Sequence, residues 1–206
     1  MRQSGIAVST ETARRLFDSI EEESPLRSTS VADFERNKEL NRWYNVLPFD
    51  ETRVKLNNSS QNDFNDYINA SRVDSLENKS YILTQGPLPK TIGHFWTMVW
   101  QQSVSAIVML CRLNENGICK CAPYWPQTVE EDDLINISGV GLEVRLRDFD
   151  DEKDFLVSFV DVLKFREDPE RKLDSRVTPV CKKRDFRTLL NLDTKTIFTE
   201  NGLELD

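Results

Sequence analysis

Residues 81–126 read YILTQGPLPKTIGHFWTMVWQQSVSAIVMLCRLNENGICKCAPYWP. Gly86-Pro87 and Pro89 mark a turn, residues 94–102 place apolar side chains at the spacing of an amphipathic helix, and residues 106–110 form a short continuous apolar run. Such a run is what a strand buried on both faces requires. Strand, turn, helix and strand in this order make a unit of an α/β domain.

The 206 residues suffice for one domain with a real core. With 38% hydrophobic and 30% charged residues, the composition is that of an ordinary soluble protein, and no apolar run reaches membrane-spanning length. Residues 1–23 have no apolar core of signal-peptide length, so a cytoplasmic place is expected, with the nucleus as an alternative. A formal net charge of −8, its acids spread along the chain, argues against nucleic acid as the main partner. The four cysteines, Cys111, Cys119, Cys121 and Cys181, fit neither a zinc site nor a disulfide framework. Cys111 reads as a core residue, and Cys119 and Cys121 as alternate positions of one strand. No metal or cofactor is expected.

Working outward, residues 9–23 carry Ala13, Leu16, Phe17 and Ile20 at helical spacing behind Ser/Thr capping candidates, and residues 24–30 form a Pro/Ser linker. A second short helix is expected over 31–40, a strand over 53–56 and a polar loop over 57–65. Residues 66–73 predict a strand with Tyr67, Asn69 and Ser71 on one face and Ile68, Ala70 and Arg72 on the other. A turn at 74–79 leads to a strand at 81–84. After Pro126 come an acidic stretch, a Gly139-Val140-Gly141 turn, a strand over 142–146, a charged turn over 148–154, a strand over 155–165 and a hairpin turn around Pro169.

The segments NRWYNVLPFDETRVKL (41–56), DYINAS (66–71), TQGPLP (84–89), HFWTMVW (94–100), IVML (107–110) and KCAPYWP (120–126) resemble, in order, the classical protein tyrosine phosphatases of the intracellular non-receptor type. The resemblance covers roughly residues 34–165 and thins after Pro126. It implies a twisted mixed sheet flanked by helices, here C-terminally incomplete, and dephosphorylation of phosphotyrosine in a protein or peptide partner. That chemistry needs a cysteine thiolate held in a loop of backbone N–H groups, an arginine that grips the phosphoryl oxygens in bidentate fashion, and an aspartic acid on a mobile Trp-Pro-Asp loop.

Neither a His-Cys-x-x-Gly-x-x-Arg loop nor a Trp-Pro-Asp triplet occurs in the sequence. Residues 177–192 (VTPVCKKRDFRTLLNL) hold two partial echoes. Cys181, Arg187 and Thr188 keep the loop's cysteine-to-arginine-to-hydroxyl spacing, but the interval has no glycine to let N–H groups face a phosphate, and Asp185 would repel it. Lys183-Arg184-Asp185-Phe186 falls where the Trp-Pro-Asp-Phe loop belongs, without the aromatic residue or the proline. The expected organisation is a helix and linker over 1–30, a partial phosphatase domain over 31–176 and a divergent tail over 177–206, with no catalytic residue assigned. A family member inactive as the chain stands is expected; the alternatives are a pseudophosphatase or phosphotyrosine-binding module, and a truncated splice product without stable function.

The resemblance assigns substrate binding to Arg42, Trp43 and Asn45. Trp43 stands where the family has a tyrosine that stacks on the phosphotyrosine ring, and Asn45 where it has an aspartate that holds the peptide backbone. Tryptophan still stacks, whereas Asn45 loses the charged acceptor. Trp43 and Tyr44 as plain packing residues remain the other reading. Arg112, Glu115 and Lys120 match a loop that buttresses the phosphate-binding arginine; without that arginine a solvated turn is expected. Gln85 and Gly86 belong to a structural turn, and His94, the one histidine, to helix packing.

Overall fold

A computed structural model describes residues 9, 11–12, 14–15, 19, 27–57, 65–74, 80–151, 155–165, 174–183 and 196–200, with 155, 174–183 and 196–200 described by their backbone. Most of the N-terminal helix, residues 58–64 and 75–79, and the hairpin turn at Pro169 lie outside them. At the start of the chain, the Thr12 amide donates to Ser9 Oγ at 3.1 Å, a cap of the kind the Ser/Thr cluster foretells.

The helix expected over 31–40 is two short ones, α1 (Ser30–Asp33) and α2 (Glu35–Lys38), broken at Phe34, whose ψ of 135° is extended. Asp50 anchors the start of α1: its carboxylate accepts from the amides of Ser30 (3.1 Å) and Val31 (3.0 Å) and from Ser28 Oγ (2.6 Å). These donors keep the Asp50 carboxyl below its ordinary pKa, the Ser28 hydroxyl most of all.

The strands are β1 (Arg53–Lys55), β2 (Tyr67–Asp74), β3 (Ser80–Gln85), β4 (Ala106–Met109), β5 (Asn114–Glu115), β6 (Ile118–Cys119), β7 (Leu134–Ile137), β8 (Leu142–Asp151), β9 (Phe155–Lys164), β10 (Asp174–Lys183) and β11 (Thr196–Glu200). Nine of them form one sheet in the order β1-β2-β3-β11-β4-β10-β9-β8-β7, and β5 and β6 pair separately. The centre is parallel, with β11 between β3 and β4 and β10 on the far side of β4; both flanks are antiparallel. The mixed sheet anticipated from the sequence is therefore present. Among the described residues its one long helix is α3 (Ile92–Gln101).

Two expectations need correction. The charged turn begins later than 148, because β8 continues to Asp151 through a bulge between Leu146 and Asp148 that absorbs one residue against β9. Cys119 and Cys121 do not share one strand, since β6 ends at Cys119. In β2 the two predicted faces are present, and over Tyr67–Ala70 both are buried. One face meets the core through Ile68 and Ala70; Tyr67 and Asn69 on the other bond to Asn41.

The core lies where α3 meets the sheet. Six consecutive residues, Phe95 to Trp100, are buried, more than a one-sided amphipathic helix allows. The reason is the 121–125 segment: Trp96 Nε1 donates to Tyr124 O at 2.5 Å, and the Phe95 and Tyr124 rings pack with centroids 4.7 Å apart. The same cluster takes in Val54, Ile68, Ile82, Ile107 and Met109 from the strands.

Candidate functional site

In a parallel array, ligands are met at the carboxyl ends of the strands. Those ends of β3, β11, β4 and β10 share one edge, with Gln85 beside Glu200 and Thr199 beside Met109 in register. Three pieces of chain converge there: the loop 40–48, the Gln85-Gly86-Pro87 turn and the hairpin of β5 and β6.

Arg42 ties the three together. Its amide donates to Gln85 Oε1 at 2.7 Å. Its guanidinium donates to Gly86 O (2.8 Å), Pro87 O (2.7 Å) and Cys119 O (3.0 Å). Gln85 in turn donates through Nε2 to Leu40 O at 2.8 Å. With its planar fork committed to three carbonyls, Arg42 is placed to position its neighbours. The junction admits no side chain at residue 86, where a Cβ would fall 2.6 Å from Lys120 O, a backbone atom. Glycine is required there by close approach.

Beneath the loop runs a network of asparagines. Asn41 Oδ1 accepts from Tyr67 Oη and from Asn69 Nδ2 (3.0 Å), Asn69 also donates to Val46 O (2.9 Å), and Asn41 Nδ2 donates to the carbonyls of Ala32 and Asn37, each at 3.2 Å. Asn37 is itself buried and donates to Val31 O at 2.7 Å. Buried amides with filled hydrogen-bonding capacity fix a loop more firmly than apolar contacts, which leave it free to slide. Burial also raises the Tyr67 hydroxyl well above its ordinary pKa, so it stays a donor.

Held by this network, Trp43 is half-buried and forms a wall of a cleft of about 200 Å³, lined also by Val46, Leu47, Ser71, Leu83 and Gln85. Drug-sized pockets run to roughly 300–1,000 Å³, so this one suits a single side chain. Lys120 Nζ stands 5.1 Å from the centroid of the Trp43 ring, within cation–π range. The Trp43 Nε1 is buried without a hydrogen-bond partner among the described residues. Asn45 and Tyr44 are exposed, Tyr44 at 89%.

The segment expected to be a solvated turn is an ordered hairpin. Asn116 and Gly117 both take positive φ (49° and 79°), the two-residue loop that suits the twist of paired strands. The Arg112 amide donates to Glu115 Oε1 at 2.8 Å, and Lys120 N and Cys121 N both donate to Leu113 O. The Asn-Gly pair was the signal for this hairpin, and it brings Lys120 to Trp43.

Residues 37–178 match the family model described as protein-tyrosine phosphatase. The chain belongs to the protein-tyrosine phosphatase family. It is 46% identical over 142 residues to human tyrosine-protein phosphatase non-receptor type 2, a match covering 67% of this chain and 33% of that protein. Tyrosine-protein phosphatase 1 of Dictyostelium discoideum is 38% identical over 160 residues, 78% of this chain and 28% of its own. Human receptor-type tyrosine-protein phosphatase alpha is 43% identical over 104 residues, 50% of this chain and 13% of its own. The chain thus spans a third or less of the length of these phosphatases.

Of the residues to which the phosphatase resemblance assigned substrate binding, the structure brings Arg42 and Trp43 to one junction and leaves Asn45 on the surface. Cys181 lies within β10, its backbone in register with Val108 on one side and Val157 on the other, and the tail boundary expected at 176/177 falls inside the same strand. Asp185, Arg187 and Thr188 lie outside the described residues. His94 sits on α3, where burial lowers its pKa and favours the neutral ring. Among the described residues no group of His, Cys, Asp or Glu is arranged to hold a metal, and no helix is long and apolar enough to cross a membrane.

Proposed function

We propose that this phosphatase-family chain carries the ring-recognition side of a phosphotyrosine site and, by itself, hydrolyses no phosphotyrosine. The observation that carries this reading is the cleft walled by Trp43 near the carboxyl end of β3, with Lys120 against the Trp43 ring, in a sequence without a cysteine–arginine phosphate loop. An aryl side chain entering beside Trp43 would stack on the indole, and Lys120 would approach an anionic group on that ring. Nothing in this set takes up a phosphoryl group covalently. The test is phosphate release from a phosphotyrosine peptide or an aryl phosphate by the purified chain. No turnover is expected; turnover abolished by Cys181→Ser would overturn the reading.

A second reading, a phosphotyrosine-binding module in a cytoplasmic or nuclear setting, is favoured by the same Trp43–Lys120 pair. It requires phosphopeptide affinity that falls in Trp43→Ala. Only weak affinity is expected, since most of the attraction to a phosphate comes from a cradle of donors that the sequence lacks.

A further inference from the structure

The tip of the β5–β6 hairpin is an Asn-Gly pair that the proposed recognition does not use. Asn116 and Gly117 are both exposed, and nothing lies within 4 Å of where a Gly117 side chain would stand. Among the described residues no group is bonded to the Asn116 carboxamide, and the Gly117 N–H donates to none. An electrophilic carbonyl carbon and the backbone nitrogen one residue on are thus adjacent, solvated and free. Glycine has no Cβ to block the approach of that nitrogen.

We propose that Asn116 is a self-modification site, at which attack by the Gly117 nitrogen expels the side-chain amide and the isoaspartyl product loosens the hairpin that carries Lys120. Asparagine is among the thermolabile residues. Solvent base takes the Gly117 amide proton. The nitrogen bonds to Asn116 Cγ, the Cγ–Nδ2 bond breaks, and ammonia leaves with a proton from water. Water then opens the resulting succinimide. Addition at the Asn116 backbone carbonyl reroutes the chain through the former side chain as isoaspartate; addition at Cγ gives aspartate. One water is consumed and one ammonia released, with no other reactant. The local structure lets the backbone turn into line for the attack: β5 and β6 pair only with each other, Asn114 with Cys119 and Glu115 with Ile118, and so short a ladder opens locally at small cost.

Two asparagines are controls within the molecule. Asn69 precedes the small Ala70, but it is 8% exposed and its Nδ2 donates to Asn41 Oδ1 and Val46 O. Asn45 is exposed, but the branched side chain of Val46 crowds the nitrogen that would attack. A second Asn-Gly pair, Asn201-Gly202, lies outside the described residues. The product at Asn116 reaches the Trp43 cleft. Isoaspartate adds a backbone atom to a turn that fits two residues, and its new carboxylate stands next to Glu115 in the chain, whose own carboxylate accepts from the Arg112 amide. The strain falls on the ladder that presents Lys120 Nζ 5.1 Å from the Trp43 ring centroid, and on the strand whose Cys119 carbonyl Arg42 holds.

The experiment ages the full chain in warm, mildly alkaline buffer, acetylates accessible lysines briefly, and maps peptides by mass spectrometry with chromatographic separation of aspartyl from isoaspartyl forms. Cleavage at arginine leaves Asn116 and Lys120 on one peptide, residues 113–145. The Asn116 carboxamide should be lost ahead of those of Asn45 and Asn69, with isoaspartate the larger product. Gly117→Ala should slow the loss and Asn116→Gln abolish it over the same period. Lys120 should be acetylated more in the isoaspartyl peptide than in the unmodified peptide of the same sample. The parent chain alone decides if a variant does not fold. Asn116 left intact, whether or not Asn201 converts, aspartate formed without isoaspartate, or equal acetylation of Lys120 in the two peptides would overturn the proposal. None of these readouts uses phosphotyrosine, so the outcome is independent of the recognition reading.

Discussion

Replacing Arg42 by alanine removes a side chain that donates to three carbonyls on two other segments. The bonds to Gly86 O and Pro87 O are part-buried and the one to Cys119 O is exposed, so water replaces the third at little cost and the first two poorly. A hydrogen bond from a charged donor contributes about 1.5–3 kcal/mol, and partial rehydration returns some of this, leaving a loss of about 3 kcal/mol for the two. In urea, with a slope of roughly 2 kcal/mol per molar, the unfolding midpoint should fall by about 1.5 M. Arg42→Lys should recover less than half, because one ammonium cannot reach carbonyls arranged for a fork. An Arg42→Ala chain within about 0.5 kcal/mol of the parent, the spread of ordinary surface substitutions, would refute the role assigned to Arg42. So would a lysine variant equal to the parent.

Two further outcomes follow from single residues. Gly117→Ala should destabilise by about 1 kcal/mol in urea titration although nothing lies within 4 Å of the new methyl, because the cost is the positive φ of 79°, and Gly139→Ala should cost less than that. His94 has a folded pKa below its unfolded value of about 6.5, so its neutral form stabilises the fold fully above pH 6.5. That contribution is lost as pH falls through 6.5 toward the lower folded pKa, and melting curves of His94→Gln from pH 7.5 to 5 should show a shallower decline than the parent.

The scaffold was legible because its signals are local. The apolar run 106–110 becomes β4, Gly86-Pro87 becomes the turn that Arg42 grips, and the helical spacing after Pro89 becomes α3. The excess burial of α3 was not legible, because it depends on Tyr124 and Trp125 folding back over it, a contact that no periodicity reports. For the same reason the central strand β11 escaped notice. Thr196–Glu200 is placed by the edges that β3 and β4 offer it, more than a hundred residues earlier in the sequence for one and almost ninety for the other. At the site, Trp43 was found by resemblance. The work of Arg42 and of the Asn37–Asn41–Asn69 network became visible only once the partners were in place. The Asn116-Gly117 hairpin was within reach of local reasoning, since Asn-Gly with both residues at positive φ is a strong turn signal.

Phosphate release from a phosphotyrosine peptide by the full chain bears most directly on the central claim, that recognition surface is present and hydrolytic machinery is not. The parent and Cys181→Ser should release phosphate at the same background rate. Release by the parent that Cys181→Ser abolishes would contradict the claim and move the chemistry to the carboxyl end of β10.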